Sequence, residues 1–154
     1  MRRILAVALA LSWITLSDAR ILLRPTFAGE AVVLVGAEAR AVFEQCSRAA
    51  PVPSAILAGP SSAEIEQLEQ VVERHISVEY EANRPSPPNI TYARQYVAYQ
   101  VGHQRMIYGN YYPLSHPPTK GRAVVICDGG PQFWGVEFNP KTGKVQTLAF
   151  NGPG

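Results

Sequence analysis

The spacing of apolar residues changes once along this chain, and that change constrains the fold more than any other feature. Up to the proline-rich stretch at 83–89, apolar side chains recur at helical spacing, whereas the chain from Tyr92 onward is rich in tyrosine, valine and phenylalanine. Glycine and proline divide this second part into segments with the length and composition of strands. Helices followed by a run of strands are typical of an α+β domain.

The clearest element in the first part is a predicted helix at about 62–75. Ser61 and Glu64, just at its start, have the spacing of a capping box, in which each side chain bonds the backbone N–H of the other residue. The apolar positions of this helix, which should form one stripe, are Ile65, Leu68, Val71, Val72 and Ile76. A shorter helix is predicted at 39–49, so the first part supplies one or two helices.

Five strands are predicted in the second part, at residues 92–101, 105–112, 122–127, 133–138 and 145–150. The third contains the apolar run from Ala123 to Cys127 and is therefore expected to be buried on both faces. The predicted fold is α+β, with one or two N-terminal helices packed on an antiparallel meander of about five strands. This order of elements is similar to that of cystatin-like folds, a likeness of topology that carries no function.

The N-terminus has the pattern of a secretory signal. Arg2 and Arg3 precede an apolar run at 4–16, which at ~1.5 Å per helical residue is too short for a bilayer core of about 30 Å. Small residues then favour cleavage after Ala19, and a similar site allows cleavage after Ala39 instead. We therefore expect a signal peptide at 1–19 and one domain at 20–154, exported to the periplasm or secreted, with no membrane span after cleavage.

Two cysteines, Cys46 and Cys127, remain in the expected domain, and an exported chain with an even pair favours a disulfide between them. The charges are nearly balanced, with 14 basic and 12 acidic residues in the whole chain. Nothing in this distribution resembles the basic footprint of a nucleic-acid-binding protein. We therefore predict a disulfide-linked domain that does not bind nucleic acid.

Motifs for catalysis are missing from the sequence. It lacks the Gly-x-Ser-x-Gly elbow and the phosphate-binding glycine loops, and none of its three histidines has metal-ligand spacing to another ligand. We therefore predict no catalytic residue, no metal and no cofactor. The alternative is a small hydrolase or lyase, in which Asp128 and Glu137 form an acid/base pair assisted by a loop histidine, His116 or His103.

The candidate binding residues are a cluster of aromatic side chains and one turn aspartate: Tyr108, Tyr111, Tyr112, Trp134 and Asp128. Since the helices are expected to cover one face of the sheet, part of this aromatic surface should be exposed or buried in a homodimer. The leading hypothesis is a non-enzymatic exported domain that binds a protein, a peptide or an envelope component, with an inhibitor-like role among the options. A structural homodimer subunit is a further alternative.

Part of the second half resembles the C-terminal region of small exported bacterial proteins of unassigned function. The shared pattern is Cys-Asp-Gly-Gly-Pro from Cys127, followed by Phe-Trp-Gly-Val-Glu from Phe133. Gln-Cys-Ser-Arg from Gln45 is similar to the same group. The resemblance covers about a third of the expected domain. It implies export and a cysteine pair, and it supplies no activity, so no catalytic residue is carried over.

Overall fold

The computed structural model describes residues 27–83, 90–117 and 119–152. The predicted signal peptide and the cleavage position at Ala19 lie outside these residues. Ala39, the alternative cleavage position, lies in a short helix and is fully buried. Cleavage there would remove residues 31–33, which pair with residues 94–96 of the sheet.

The described residues form six strands and two helices. In chain order these elements are β1 (Ala31–Val33), α1 (Gly36–Ala41), β2 (Ala55–Ile56), α2 (Ser62–Asn83), β3 (Tyr92–Val101), β4 (Gln104–Pro113), β5 (Trp134–Asn139) and β6 (Lys144–Phe150). The strands make one sheet in the order β1-β3-β4-β5-β6, and β2 pairs with the same edge of β3 as β1. The α+β class is therefore confirmed.

The sheet is mixed, which the sequence did not predict. β3, β4, β5 and β6 form an antiparallel meander, but β1 runs parallel to β3. The cystatin-like topology is not confirmed. β1 and β2 are only three and two residues long, too short for the alternation by which a strand is recognised in a sequence.

α2 covers one face of the sheet, as its apolar stripe predicts. The capping box is present, because Ser61 N donates to Glu64 Oε2 (2.8 Å) and Glu64 N donates to Ser61 Oγ (3.3 Å). The buried core between the helix and the sheet consists of Leu68, Val72, Ile76, Tyr92, Tyr96, Ile107, Tyr111, Trp134, Val136 and Phe138. The helix continues to Asn83 and is thus longer than the predicted 62–75.

The opposite face of the sheet, called here the second face, is also covered. The covering layer contains α1, the irregular loop at 42–53 (the Cys46 loop) and the extended segment at 119–130 (the strap). Two smaller buried clusters lie beneath it. The expectation that part of the aromatic surface is exposed or buried in a homodimer was therefore wrong for the described residues. Irregular segments, which have no periodic pattern in the sequence, provide a second covering layer.

The strap includes residues 122–127, which were predicted to form the third strand. That prediction was wrong, since these residues form no strand and pair with no strand. Of this apolar run Val124 is buried, 5% exposed, against Ala93 and Tyr112. The first helix was also predicted too long, because α1 ends at Ala41 and the chain then turns into the Cys46 loop.

The predicted disulfide between Cys46 and Cys127 is confirmed, with the two Cα atoms 5.3 Å apart. It joins the Cys46 loop to the strap, and so links two covering segments that are 81 residues apart in sequence. Within the described residues, no helix is both long and apolar enough to cross a membrane.

Candidate functional site

The aromatic residues predicted to bind a partner are buried on both faces of the sheet. Tyr111 and Trp134 lie under α2, each 0% exposed, with their rings stacked at 3.8 Å between centroids. Tyr108 and Tyr112 lie on the second face and are 1% and 2% exposed. None of the four therefore presents its ring to a partner in this conformation.

Asp128, the remaining candidate, lies exposed in the strap directly after Cys127. Its φ of +61° places it in the left-handed region, which a short polar side chain tolerates. Gly130 follows with a φ of +71°, so the Asp-Gly-Gly-Pro segment turns the chain back towards β5. Asp128 acts as a turn residue here.

The strap is held to the second face by side chains that bond its backbone. Gln95 in β3 accepts from Val124 N (2.8 Å) and donates to Arg122 O. Asn110 in β4 donates to Val124 O (2.9 Å) and to Gln95 Oε1 (3.1 Å). These two amides replace the ladder that a neighbouring strand would have supplied, which explains why the apolar strap forms no strand.

Further side chains bond the strap at its other positions. Glu38 in α1 accepts from Ala123 N (2.6 Å), and Gln45 donates to Val124 O (3.1 Å). After β6, Asn151 donates to Ile126 O (2.7 Å). The strap is thus bonded by α1, the Cys46 loop, the sheet and the C-terminal residues together.

Arg48 lies at the centre of the polar groups on the second face. Its guanidinium donates to the hydroxyl oxygen of Tyr108, at 3.3 Å from both Nε and Nη2, and to the amide oxygens of Asn110 and Asn151. All of these acceptors are neutral. The arrangement fixes the Cys46 loop to β4 and to the C-terminal residues.

Sequence reasoning missed this polar layer. One sequence feature could have indicated the layer, namely the polar residues Gln95 and Asn110 within strands that are otherwise aromatic and aliphatic. A polar side chain buried at such a position needs a hydrogen-bond partner. The identity of that partner could not be read from the chain, because every bond joins residues far apart in sequence.

The residues of the hydrolase alternative are not brought together. Glu137 accepts a hydrogen bond from the Tyr99 hydroxyl at 2.7 Å, and burial together with this carboxylate raises the pKa of Tyr99. His116 lines a cavity of about 270 Å³ with Thr119 and Arg122, and neither carboxylate of the predicted pair lines it. His103 lines a different cleft.

That cleft, about 640 Å³, lies where the start of α2 meets the β3–β4 and β5–β6 turns. Glu64 lines it but is engaged by Arg105, whose Nε and Nη2 lie 2.9 and 3.1 Å from the two carboxylate oxygens. Among the described residues, no three histidine, cysteine or carboxylate side chains form a metal-binding group. The cleft therefore brings together no set of groups with a defined chemistry.

A buried ion pair fixes α2 to β3. Arg94, 7% exposed, donates from Nε to Glu69 Oε1 (2.9 Å) and from Nη1 to Gly29 O (2.8 Å). The Tyr96 hydroxyl donates to the same Glu69 oxygen. The bonds of this cluster hold the helix and Gly29 to the sheet, which indicates a structural role.

The two edges of the sheet differ in a way that matters for binding. The outer edge of β3 is bonded along its whole length by residues 29–34 and 54–57. The β3 atoms in these bonds are Tyr92 O, Arg94 N, Tyr96 O, Ala98 O and Gln100 O. β6, at the opposite edge, has a strand neighbour on one side only, namely β5, within the described part of the chain.

Comparison with known proteins identifies no relative of this chain. No protein-family model, no curated protein and no solved structure matches the chain.

Proposed function

We propose that this chain is an exported, non-enzymatic binding domain, and that it binds an extended segment of a partner protein by adding it to β6 as a further strand. The observation that carries the proposal is the contrast between the edges. The chain uses two separate segments to cover β3, whereas β6 has one strand neighbour among the described residues. Strand addition to such an edge is a recurring mode of peptide recognition.

The direction of the backbone groups in β6 supports this mode. Asn151 N donates to Phe133 O (2.8 Å), which continues the β5–β6 ladder past the end of the strand. Since backbone groups alternate along a strand, the N–H and C=O of Leu148 point away from β5. Leu148 therefore offers a donor and an acceptor to an added strand.

The part of β6 beyond its bulge lacks the usual protection of an edge strand. Edge strands are usually guarded by charges, prolines or bulges. β6 has one charge, Lys144 at its first position, and a bulge at Gln146, where the register to β5 shifts. Beyond the bulge, residues 147–150 pair with β5 in regular register and carry no charge.

Charge complementarity favours a partner segment over a second copy of this chain. Lys141 and Lys144 are exposed at the start of β6, and neither takes part in a described ion pair. The strand itself contains no aspartate or glutamate, so two β6 strands would bring lysines and no carboxylate to the interface. An extended, proline-free segment with an acidic residue near one end fits this edge.

The test uses the oxidised full chain and a phage-displayed library of linear peptides. We expect selection to enrich acidic, proline-free peptides, and we expect Leu148→Pro to abolish their binding because it removes the outward N–H. Leu148→Val retains that N–H and serves as the matched control. Far-UV circular dichroism should show both variants folded, since the Leu148 N–H makes no bond to β5.

Three results would refute the proposal. The first is the absence of enriched peptides, and the second is equal binding of the selected peptides by Leu148→Pro. The third is a homodimer of the wild-type chain in light scattering that Leu148→Pro dissociates, which would assign the edge to a second copy.

A further inference from the structure

The disulfide between Cys46 and Cys127 lies at the surface and outside all regular elements. Both cysteines are exposed, one in the Cys46 loop and one in the strap. Exposed disulfides are accessible to attack by thiolates, whereas buried structural ones are protected. The bond can therefore be reached without prior unfolding.

The strap that this disulfide holds has no backbone pairing with a strand of the sheet. Side chains supply most of its bonds to the sheet, including those from Gln95, Asn110 and Asn151 described above. A segment held by side-chain bonds and few buried apolar groups belongs to the low-stability part of a protein. Val124 is its one buried apolar residue, and Ile126 and Ala123 pack partly buried against the clusters of the second face.

The main core does not depend on the strap. The cluster between α2 and the sheet contains no residue of the strap or of the Cys46 loop. The capping box of α2 and the ion pair between Arg94 and Glu69 are also remote from both segments in sequence and lie on the α2 side. Release of the strap therefore leaves the helix packed on the sheet.

We propose that the Cys46–Cys127 disulfide is a redox-controlled latch, and that a dithiol reductant opens it and releases the strap from the second face. A thiolate of the reductant attacks one exposed sulfur, which breaks the S–S bond, forms a mixed disulfide and leaves the other cysteine as a thiol. The second thiol of the reductant then displaces the attached cysteine. Two electrons and two protons pass to the protein, and the reductant leaves as a cyclic disulfide.

Opening the latch changes what the second face presents. Ala93 and Tyr112 lose Val124 as their cover, and the amides of Gln95 and Asn110 lose their backbone partners. The released face combines an aromatic side chain with two amides that have lost their partners in the strap, a composition suited to protein recognition. The latch thus controls a surface distinct from the β6 edge.

Hydrogen exchange of the full chain, measured by mass spectrometry with and without dithiothreitol, tests the latch. The reporters are the amides of Ala123 and Val124, which are bonded to Glu38 and Gln95 in the oxidised protein. We expect their protection to fall about tenfold or more on reduction, while β4 and the buried part of α2 keep theirs. Cys46→Ser/Cys127→Ser should show the open pattern without reductant and should not respond to it.

Alkylation of both thiols confirms that the bond has been reduced before exchange is compared. Unchanged protection of the strap in the reduced protein would overturn the proposal. A parallel loss of protection in β4 and α2 would overturn it as well, because the disulfide would then support the whole fold. Neither result bears on peptide binding at β6, which is measured on the oxidised chain.

Discussion

Gly135 in β5 lies directly beneath the hydrogen bonds between Arg48 and Tyr108. A Cβ at this position would lie 2.8 Å from Tyr108 Cζ and 3.0 Å from Arg48 Nε, and closer still to the Tyr108 hydroxyl oxygen. Its backbone is not in the left-handed region, so space alone requires glycine here. The requirement comes from the side chains that cross β5, and the sequence Trp-Gly-Val by itself does not reveal it.

Gly135→Ala is therefore expected to lower the free energy of unfolding by about 1–3 kcal/mol, because Arg48 and Tyr108 must move from their paired positions. Urea denaturation measures the change. Gly152→Ala is the matched control, since a Cβ there meets Ser47 Oγ at an ordinary 3.4 Å. Equal stability of Gly135→Ala and wild type would show that Arg48 does not occupy this position.

Residues differ in how far the sequence predicts their roles. The Cys46–Cys127 bond could be predicted, because a chain that contains two cysteines has only one possible internal pairing. The partly buried position of Arg48 against neutral oxygens could not be predicted, because an arginine in an irregular loop is normally solvated. Asn110 and Asn151, its partners, are 62 and 103 residues away, and only the folded chain brings them together.

Among the elements, α2 is the one whose start was predicted from local sequence. Ser61 and Glu64 are three residues apart, so their capping box forms without help from the rest of the chain. What the sequence did not predict is that Glu64 also pairs with Arg105, across the β3–β4 hairpin. Hydrogen bonds from the Arg105 guanidinium lower the pKa of Glu64 to about 2, against a smaller opposite effect of burial.

Because the pKa of Glu64 is lower in the folded chain than its ordinary value of 4.5, this carboxylate stabilises the protein above about pH 4.5. That stabilisation is lost as the pH falls from about 4.5 to about 2. Glu64→Gln should therefore be less stable than wild type at pH 7, by about 1 kcal/mol for a partly exposed pair, and equal to it near pH 2. Thermal melts of both proteins across this range measure the difference, with Glu66→Gln as the exposed control. A constant difference across the range would contradict the pairing.

The strap is an element whose amino-acid composition led to a wrong prediction of secondary structure. The run from Ala123 to Cys127 has the aliphatic content of a central strand, and that content was the reason for predicting one. The strands β3, β4, β5 and β6 each pair with a neighbour along the chain. The strap instead meets Gln95 and Asn110, whose amides satisfy its backbone, so burial is achieved without a ladder. The aliphatic composition therefore correctly indicated burial of this run, but tertiary contacts prevented it from forming a strand.

For the whole molecule, the covering of both sheet faces determines which surfaces are available. α2 was predicted to cover one face, and its periodicity sufficed for that prediction. The second layer consists of α1 and irregular segments, which have no period to detect. The predicted aromatic binding surface depended on the absence of this layer. Because this second layer covers the face of the sheet, we propose that the binding site is the edge at β6 instead.

The same covering buries six tyrosines, a set that comprises Tyr92, Tyr96, Tyr99, Tyr108, Tyr111 and Tyr112. Burial is the main cause that raises the pKa above the ordinary value of 10 for Tyr96, Tyr99, Tyr108, Tyr111 and Tyr112. A raised pKa in the folded state means that the neutral phenols stabilise the protein fully below about pH 10. This stabilisation is lost as the pH rises further, because the unfolded chain ionises its tyrosines first.

We therefore expect alkaline unfolding to be cooperative and to coincide with tyrosine ionisation. Absorbance at 295 nm should stay low up to about pH 10 and then rise in one steep step, in the same interval in which the far-UV circular dichroism signal is lost. A chain with an exposed aromatic face would behave differently, since several phenols would ionise near pH 10 while the secondary structure remained. A gradual rise in absorbance that precedes the loss of circular dichroism would therefore show that one face of the sheet is open to solvent.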